Sequence, residues 1–257
     1  MDAPALVNAV RIKRWLPYWA VLQCDLRQTL RSWVYLFSVM MTLLAAIGYL
    51  LYRIGVYREA GIIQPASTLV SDLLRWSVLG GVALVILVTA GCISGERGNL
   101  ADSVLSRGIS RYQYFLGKWH ARLAIVIGTF LCMGLTALVL SYFLLHGDMS
   151  VTGSLMALVA VIALLAVVAT FGVTVSALFN STLFGVAVLW IGLYGAGYAL
   201  CYLPVSYPTP DRMLNNLPYI LQGMYDMRQI GRLIEYSAFT ALAAAVIGLG
   251  YFARRDI

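Results

Sequence analysis

Six stretches of this chain are each close to the ~20 apolar residues that a helix needs to cross a ~30 Å hydrocarbon layer, and nothing else in the sequence constrains the fold so tightly. They cover 33–52, 76–93, 123–145, 152–179, 183–203 and 236–252, and within those limits none holds an Asp, Glu, Lys, Arg or His. The expectation is an all-α, polytopic membrane protein: six transmembrane helices in a single transmembrane domain over 1–257. The fourth stretch is longer than a crossing requires, so tilt or an extension beyond the bilayer is expected. Its separation from the fifth rests on the polar tripeptide Asn180-Ser181-Thr182 within Leu178–Phe184.

Composition agrees. Hydrophobic residues make up 61% of the 257 and charged residues 11%, where a soluble domain carries roughly 25% charged. The formal net charge of +7 is read first through its distribution over the loops. No basic groove interleaved with aromatics accompanies it, which excludes nucleic acid as a partner. With the N-terminus cytoplasmic, the inner segments collect twelve Lys and Arg, and the outer ones hold six: Arg53, Arg58, Arg75, Arg212, Arg228 and Arg232. That asymmetry places both termini inside, in a plasma (bacterial inner) membrane. The first 30 residues lack the apolar core and small-residue site of a cleavable signal peptide. Cys24, Cys92, Cys132 and Cys201 lack any C-x-x-C spacing, so neither a disulfide nor a metal site is expected.

Ionisable groups held within a bilayer usually serve proton relays or ion pathways. Their absence from the six stretches argues against proton coupling and against a catalytic site at mid-membrane. His120 and His146 flank the third stretch at opposite ends, too far apart to share a metal. No G-x-x-x-x-G-K-S/T phosphate loop occurs. If the chain moves a substrate uphill, the energy must enter from another subunit.

Two segments outside the spans have structure of their own. In the N-terminal segment 1–32 and the residue that follows it, Trp19, Leu22, Leu26, Leu30 and Trp33 recur at three- and four-residue steps, opposite Gln23, Asp25, Arg27, Gln28 and Arg31. This predicts an amphipathic helix suited to the lipid interface, with docking on a soluble partner as the alternative. The second segment, Ser94–Trp119, is too long and too polar for a tight turn. Asn99 with Asp102 can open a helix, Leu100, Val104 and Leu105 share a face, and Gly108 can end it. Ser110 followed by Gln113 is a capping box that opens a second helix. Helix, glycine break and helix make a stiff element on the inner side. Its apolar face is rimmed by Glu96, Arg97, Arg107 and Arg111, a plan common to docking surfaces.

The pieces Glu96-Arg97-Gly98-Asn99-Leu100, Leu105-Ser106-Arg107, Ile109-Ser110-Arg111 and Leu116-Gly117-Lys118 resemble the intracellular loop of the type-two ABC exporter permeases. That family commonly has Thr where Asn99 stands and Pro where Gly108 stands. The likeness extends to the N-terminal helix, the six spans and the ending Arg254-Arg255-Asp256. It implies that segment 94–119 is a cytoplasmic coupling helix seated on a nucleotide-binding ATPase subunit. Glu96, Arg97, Asn99, Leu100, Leu105, Arg107 and Arg111 would form the ATPase-docking contact. ATP and Mg would bind that partner subunit and no cofactor this chain, which is then not an enzyme. Transport by alternating access, outward, with a second membrane subunit, identical or related, is implied in the same way.

On the outer side, Pro204, Pro208 and Pro210 oppose a continuous helix within 204–235, and Met213, Leu214, Leu217, Ile220, Leu221 and Met224 then form an apolar series. A short pair of re-entrant or interfacial helices is expected. In the resembled family such helices cap the translocation path, which would make Met213, Leu217 and Met224 gate residues. A structured loop lying on the membrane is the plainer alternative. In the fifth span Gly192, Gly195, Gly197, Ala196 and Ala199 permit close helix approach, within one chain or across a dimer. Tyr194, Tyr198 and Tyr202 either line a conduit or sit in an aromatic belt. Two other function classes remain: an energy-independent channel or scaffold in contact with membrane lipids, and a membrane enzyme. The latter would need Asp72, Asp148, Asp211, Asp226 and Glu235 to gather in space.

Overall fold

A computed structural model describes residues 15–60, 65–96, 109–144, 147–202 and 209–254. Among these the chain is helical, without strands. α1 (Leu16–Leu30) precedes α2 (Trp33–Ala60) and α3 (Ala66–Ala90), and a 3-10 turn follows at Ser94–Glu96. α4 (Arg111–Leu144), α5 (Val151–Leu178) and α6 (Thr182–Cys201) come next. The short α7 (Pro210–Asn215) and α8 (Leu217–Leu221) lead into α9 (Met227–Arg254). Six of these helices, α2 to α6 and α9, are long and apolar enough to cross a membrane.

α5 is the hub. A helix that is apolar on every side seeks burial inside a bundle, and 56% of its most apolar window is buried, against 11% in α2 and in α6. It packs on α9, α3, α4, α8 and α6. Lipid tails are as apolar as leucine, so close packing must hold these helices together. Gly172 lets α5 meet Thr89 of α3 where a Cβ would overlap the threonine hydroxyl. Val85, Ile86, Phe130, Leu158 and Leu165 fill the layer between α3, α4 and α5.

The boundary between α5 and α6 stands where the tripeptide places it. Phe179 turns extended, and the Ser181 hydroxyl caps α6 by accepting from the Phe184 N–H. Other boundaries differ from the apolar limits. α3 begins at Ala66 rather than 76, α4 at Arg111 rather than 123, and α9 at Met227 rather than 236. The candidate spans built on them therefore carry Asp72, Arg75, Lys118, His120 and Arg122. Hydropathy marks where a helix can meet hydrocarbon. Backbone hydrogen bonding has no reason to stop there, and polar side chains continue the same helix.

At one end of the bundle, α8 folds inward against α3 and α5, and α7 lies between it and α6. Ser67 of α3 donates its hydroxyl (2.6 Å) and backbone N–H (3.1 Å) to Asp148, and the Gln222 amide donates to both Asp148 (2.8 Å) and Ser67 (2.9 Å). Gly223 makes the turn after α8 with φ +77, a conformation that glycine adopts at no steric cost. Burial pushes the Asp148 carboxyl up, but these donors outweigh it and hold the carboxyl below its ordinary value.

Candidate functional site

The opposite end of the bundle gathers charge. On α4, Tyr114, Lys118 and Arg122 are spaced by four and so share one face. That face looks toward α1 and the end of the α3 span. Lys118 Nζ donates to Asp25 Oδ1 at 2.7 Å and to Glu96 Oε1 at 2.5 Å. Arg122 reaches the same Asp25 oxygen at 2.9 Å, and the Tyr114 hydroxyl donates to Glu96 Oε2 at 2.6 Å. Two carboxylates and two cations leave the cluster neutral. The Lys118 and Asp25 side chains are 5% and 1% exposed, so each depends on its partners rather than on water.

Neighbouring residues fix this geometry. Gly117 lets α1 lie directly on α4, where a Cβ would come within 2.8 Å of the Val21 side chain. The start of the 3-10 turn is held by Ser176 of α5, whose hydroxyl accepts from the N–H groups of Ile93 (2.9 Å) and Ser94 (3.0 Å). The Ser94 and Thr182 hydroxyls meet at 3.0 Å, tying in α6. Tyr114 and Phe115 lie 6.0 and 6.2 Å from Phe252, ring to ring, which anchors the end of α9. Every helix that reaches this end except α2 thus touches the cluster or its immediate frame.

Glu96 is the last described residue before segment 97–108, and Tyr114 lies in the first turn of α4 beyond it. Their hydrogen bond, with the Lys118 pair, joins the described residues on either side of that segment. Of the residues expected to dock an ATPase, Glu96 belongs to the cluster and Arg111 opens α4. Arg97, Asn99, Leu100, Leu105 and Arg107 lie outside the described residues. The S-x-x-Q box is present: Gln113 N–H donates to Ser110 Oγ (3.3 Å), and Ser110 N–H donates back to the Gln113 side chain (3.2 Å).

α1 has three faces rather than two. Val21, Asp25 and Thr29 are buried, while Trp19 and Leu30 stay exposed, and the equally exposed Trp33 opens α2 rather than continuing α1. The sequence puts Asp25 on the solvent face; the structure turns it into the protein, because Lys118 and Arg122 await it there. Asp25, Tyr114, Lys118 and Arg122 are the site residues that sequence reasoning missed. The signal available was the four-residue spacing of Tyr114, Lys118 and Arg122 just ahead of an apolar run.

The expected gate residues divide. Met213 and Leu217 are buried, together with Ile220 and Leu221, whereas Met224 is 78% exposed. Tyr194, Tyr198 and Tyr202 line an exposed strip of α6, with the Tyr198 and Tyr202 hydroxyls 2.5 Å apart. A Cβ added at Gly192, Gly195 or Gly197 meets nothing within 4 Å. Among the described residues, nothing packs against those glycines. All four cysteines are free, Cys92 being the buried one. Among the described residues no three His, Cys, Asp or Glu side chains come together as a metal site. Compared with known proteins, the chain matches no family model and no curated sequence.

Proposed function

We infer that the chain is the membrane-spanning permease subunit of an ABC transporter, moving its substrate by alternating access while a separate nucleotide-binding subunit hydrolyses ATP. The observation that carries this reading is the hold of Tyr114 and Lys118 on Glu96. A segment that receives force from a partner must pass it to the bundle, and a clamp at its base does so. Displacing the base moves Asp25 and α1, the length of α4, and the turn bonded to α5 and α6. The resemblance of the loop motifs supports the same assignment, and Gly117 and Lys118 of its Leu-Gly-Lys piece have a physical task in it.

In this reading segment 94–119 is the cytoplasmic coupling element, with α1 at the inner lipid interface through its exposed Trp19 and Leu30, next to Trp33 at the start of α2. Both termini are cytoplasmic, and the Asp148 end faces outward. The exposed glycine face of α6 takes a second membrane subunit, which completes the translocation path along Tyr194, Tyr198 and Tyr202. The direction is export.

The test is purification from the native host in mild detergent, with co-eluting chains identified by mass spectrometry. Wild type is compared with an Arg107→Glu, Arg111→Glu double variant that still inserts. The expected result is a subunit with a phosphate loop that accompanies wild type and is lost from the variant. An intact wild-type complex without any ATPase sinks the reading and favours an energy-independent scaffold or channel.

A further inference from the structure

An apolar cleft opens between α2, α3, α4 and α5, in the half of the bundle nearer Asp148. Its empty volume, open mouth included, is about 720 Å³. Leu43, Ala46 and Leu50 form one wall on α2, and Met133 and Ala137 another on α4. The run from Thr42 to Leu50 makes it ~12 Å long at the helical rise per residue. The lining includes Thr42 and Thr136, yet both hydroxyls are turned away: each donates to the carbonyl four residues back, at 2.8 Å. The walls thus offer a ligand no free polar group on those two side chains. Ser77 is the remaining polar side chain of the lining, so a sugar or peptide would leave most of its own donors unpaired there, at considerable cost. An alkyl chain would not.

The chemistry changes one turn above Leu50 and beside Leu73. Arg53 of α2 stands 3.8 Å from Asp72 of α3, and Tyr49 bridges them, its hydroxyl accepting from Arg53 Nε at 3.2 Å and donating to Asp72 at 3.4 Å. These contacts are long for charge-assisted bonds, which run to ~2.7–2.9 Å. Both side chains stay open, Arg53 28% and Asp72 40% exposed. One cation and one anion at the head of an apolar slot complement a zwitterion that trails a hydrocarbon chain. Ser141, one turn beyond Ala137 on the same face of α4, keeps a buried hydroxyl with no partner among the described residues. A helix is ~10 Å across with its side chains, too broad to enter behind α2, so a second copy of the chain is not the occupant.

We propose that this cleft is a site for a single zwitterionic phospholipid, its acyl chain lying between α2 and α4, its phosphate on Arg53 and its amine on Asp72. The site lies away from the Glu96 cluster and stands whichever partner drives the chain. Bound lipid joins α2, which otherwise packs lightly on the bundle, to α3 and α4.

The experiment uses the full chain in nanodiscs containing a trace of phosphatidylethanolamine with a photoreactive diazirine in its acyl chain. After irradiation, adducts are mapped by mass spectrometry. Parallel samples use the same probe built on phosphatidylglycerol or diacylglycerol. Adducts should concentrate on Leu43, Met133 and Ala137, with phosphatidylethanolamine labelling strongest. Arg53→Gln should lower that labelling by about tenfold, the scale of one hydrogen bond to a charged group. Ala46→Phe and Ala137→Phe fill the cleft from opposite walls, and each should abolish cleft adducts while labelling of the exposed Phe239, Leu242 and Val246 of α9 persists, which also reports an intact fold. Even labelling of cleft and outer faces, unchanged by either filling variant, overturns the site. Equal labelling by the three headgroups overturns the role of Arg53 and Asp72.

Discussion

The ammonium of Lys118 stands 2.7 Å from the carboxylate of Asp25, 93 positions earlier in the chain, and water reaches almost none of either side chain. A lone charge so fully buried costs several kcal/mol. The pair exists because each group, with Glu96 and Arg122, neutralises another. This relationship turns an N-terminal helix from a surface attachment into part of the bundle.

Lys118→Met leaves Asp25 with Arg122 alone and Glu96 with Tyr114 alone. Removing one partner of a buried pair costs ~3–5 kcal/mol. A correspondingly lower unfolding temperature in detergent is expected. Adding Asp25→Asn should cost less than the sum of the two single changes, with a coupling of ~1–3 kcal/mol. Strict additivity would show that the two side chains do not interact.

Gly117→Val forces a side chain into the space of Val21, whose Cβ and Cγ1 already lie 3.0 and 2.8 Å from the ideal Cβ position. Overpacking of this kind costs ~1–3 kcal/mol. Val21→Ala in the same chain should recover part of it. If the single variant is as stable as wild type, α1 does not lie on α4 as described.

Asp148 gives the Asp148 end a pH dependence. Its folded-state pKa is lowered from 3.8, so the stability it contributes is present above that value and is lost as pH falls through the lower, folded value. Asp148→Asn should lower the melting temperature at pH 7, and the gap from wild type should close in strongly acidic buffer. A gap that widens on acidification would reverse the assignment.

Gly153 and Gly195 should answer differently to the same change. A Cβ at Gly153 would run into the carbonyl oxygens of Ile220 and Leu221, whereas one at Gly195 meets nothing among the described residues. Gly153→Ala should destabilise the chain by ~1–3 kcal/mol or more. Gly195→Leu should leave the melting temperature of the chain unchanged while reducing the dimer fraction seen by cross-linking in membranes. An undiminished dimer would place the second subunit on another face.

The sequence by itself determined the six helices and their order, because burial in lipid demands long apolar runs and that demand is local. It determined the Ser110–Gln113 box and the break before Thr182 for the same reason: capping acts within a few residues. It misplaced Asp25, since helical periodicity can say that a residue lies opposite an apolar stripe but not whether a cation waits on that side. Its apolar runs begin only after Asp72 and Lys118, whereas the helices begin at Ala66 and Arg111, since hydropathy records the cost of an unpaired charge and cannot see the partner that removes it. The sequence marked Glu96 as a residue expected to meet a partner, but its grip by Tyr114 and Lys118 was not legible. Which tyrosines and glycines of α6 face outward, and that Met213 turns in while Met224 turns out, depends on which helix lies against which. Those matters are settled between residues far apart in the chain, and only the tertiary structure brings them together.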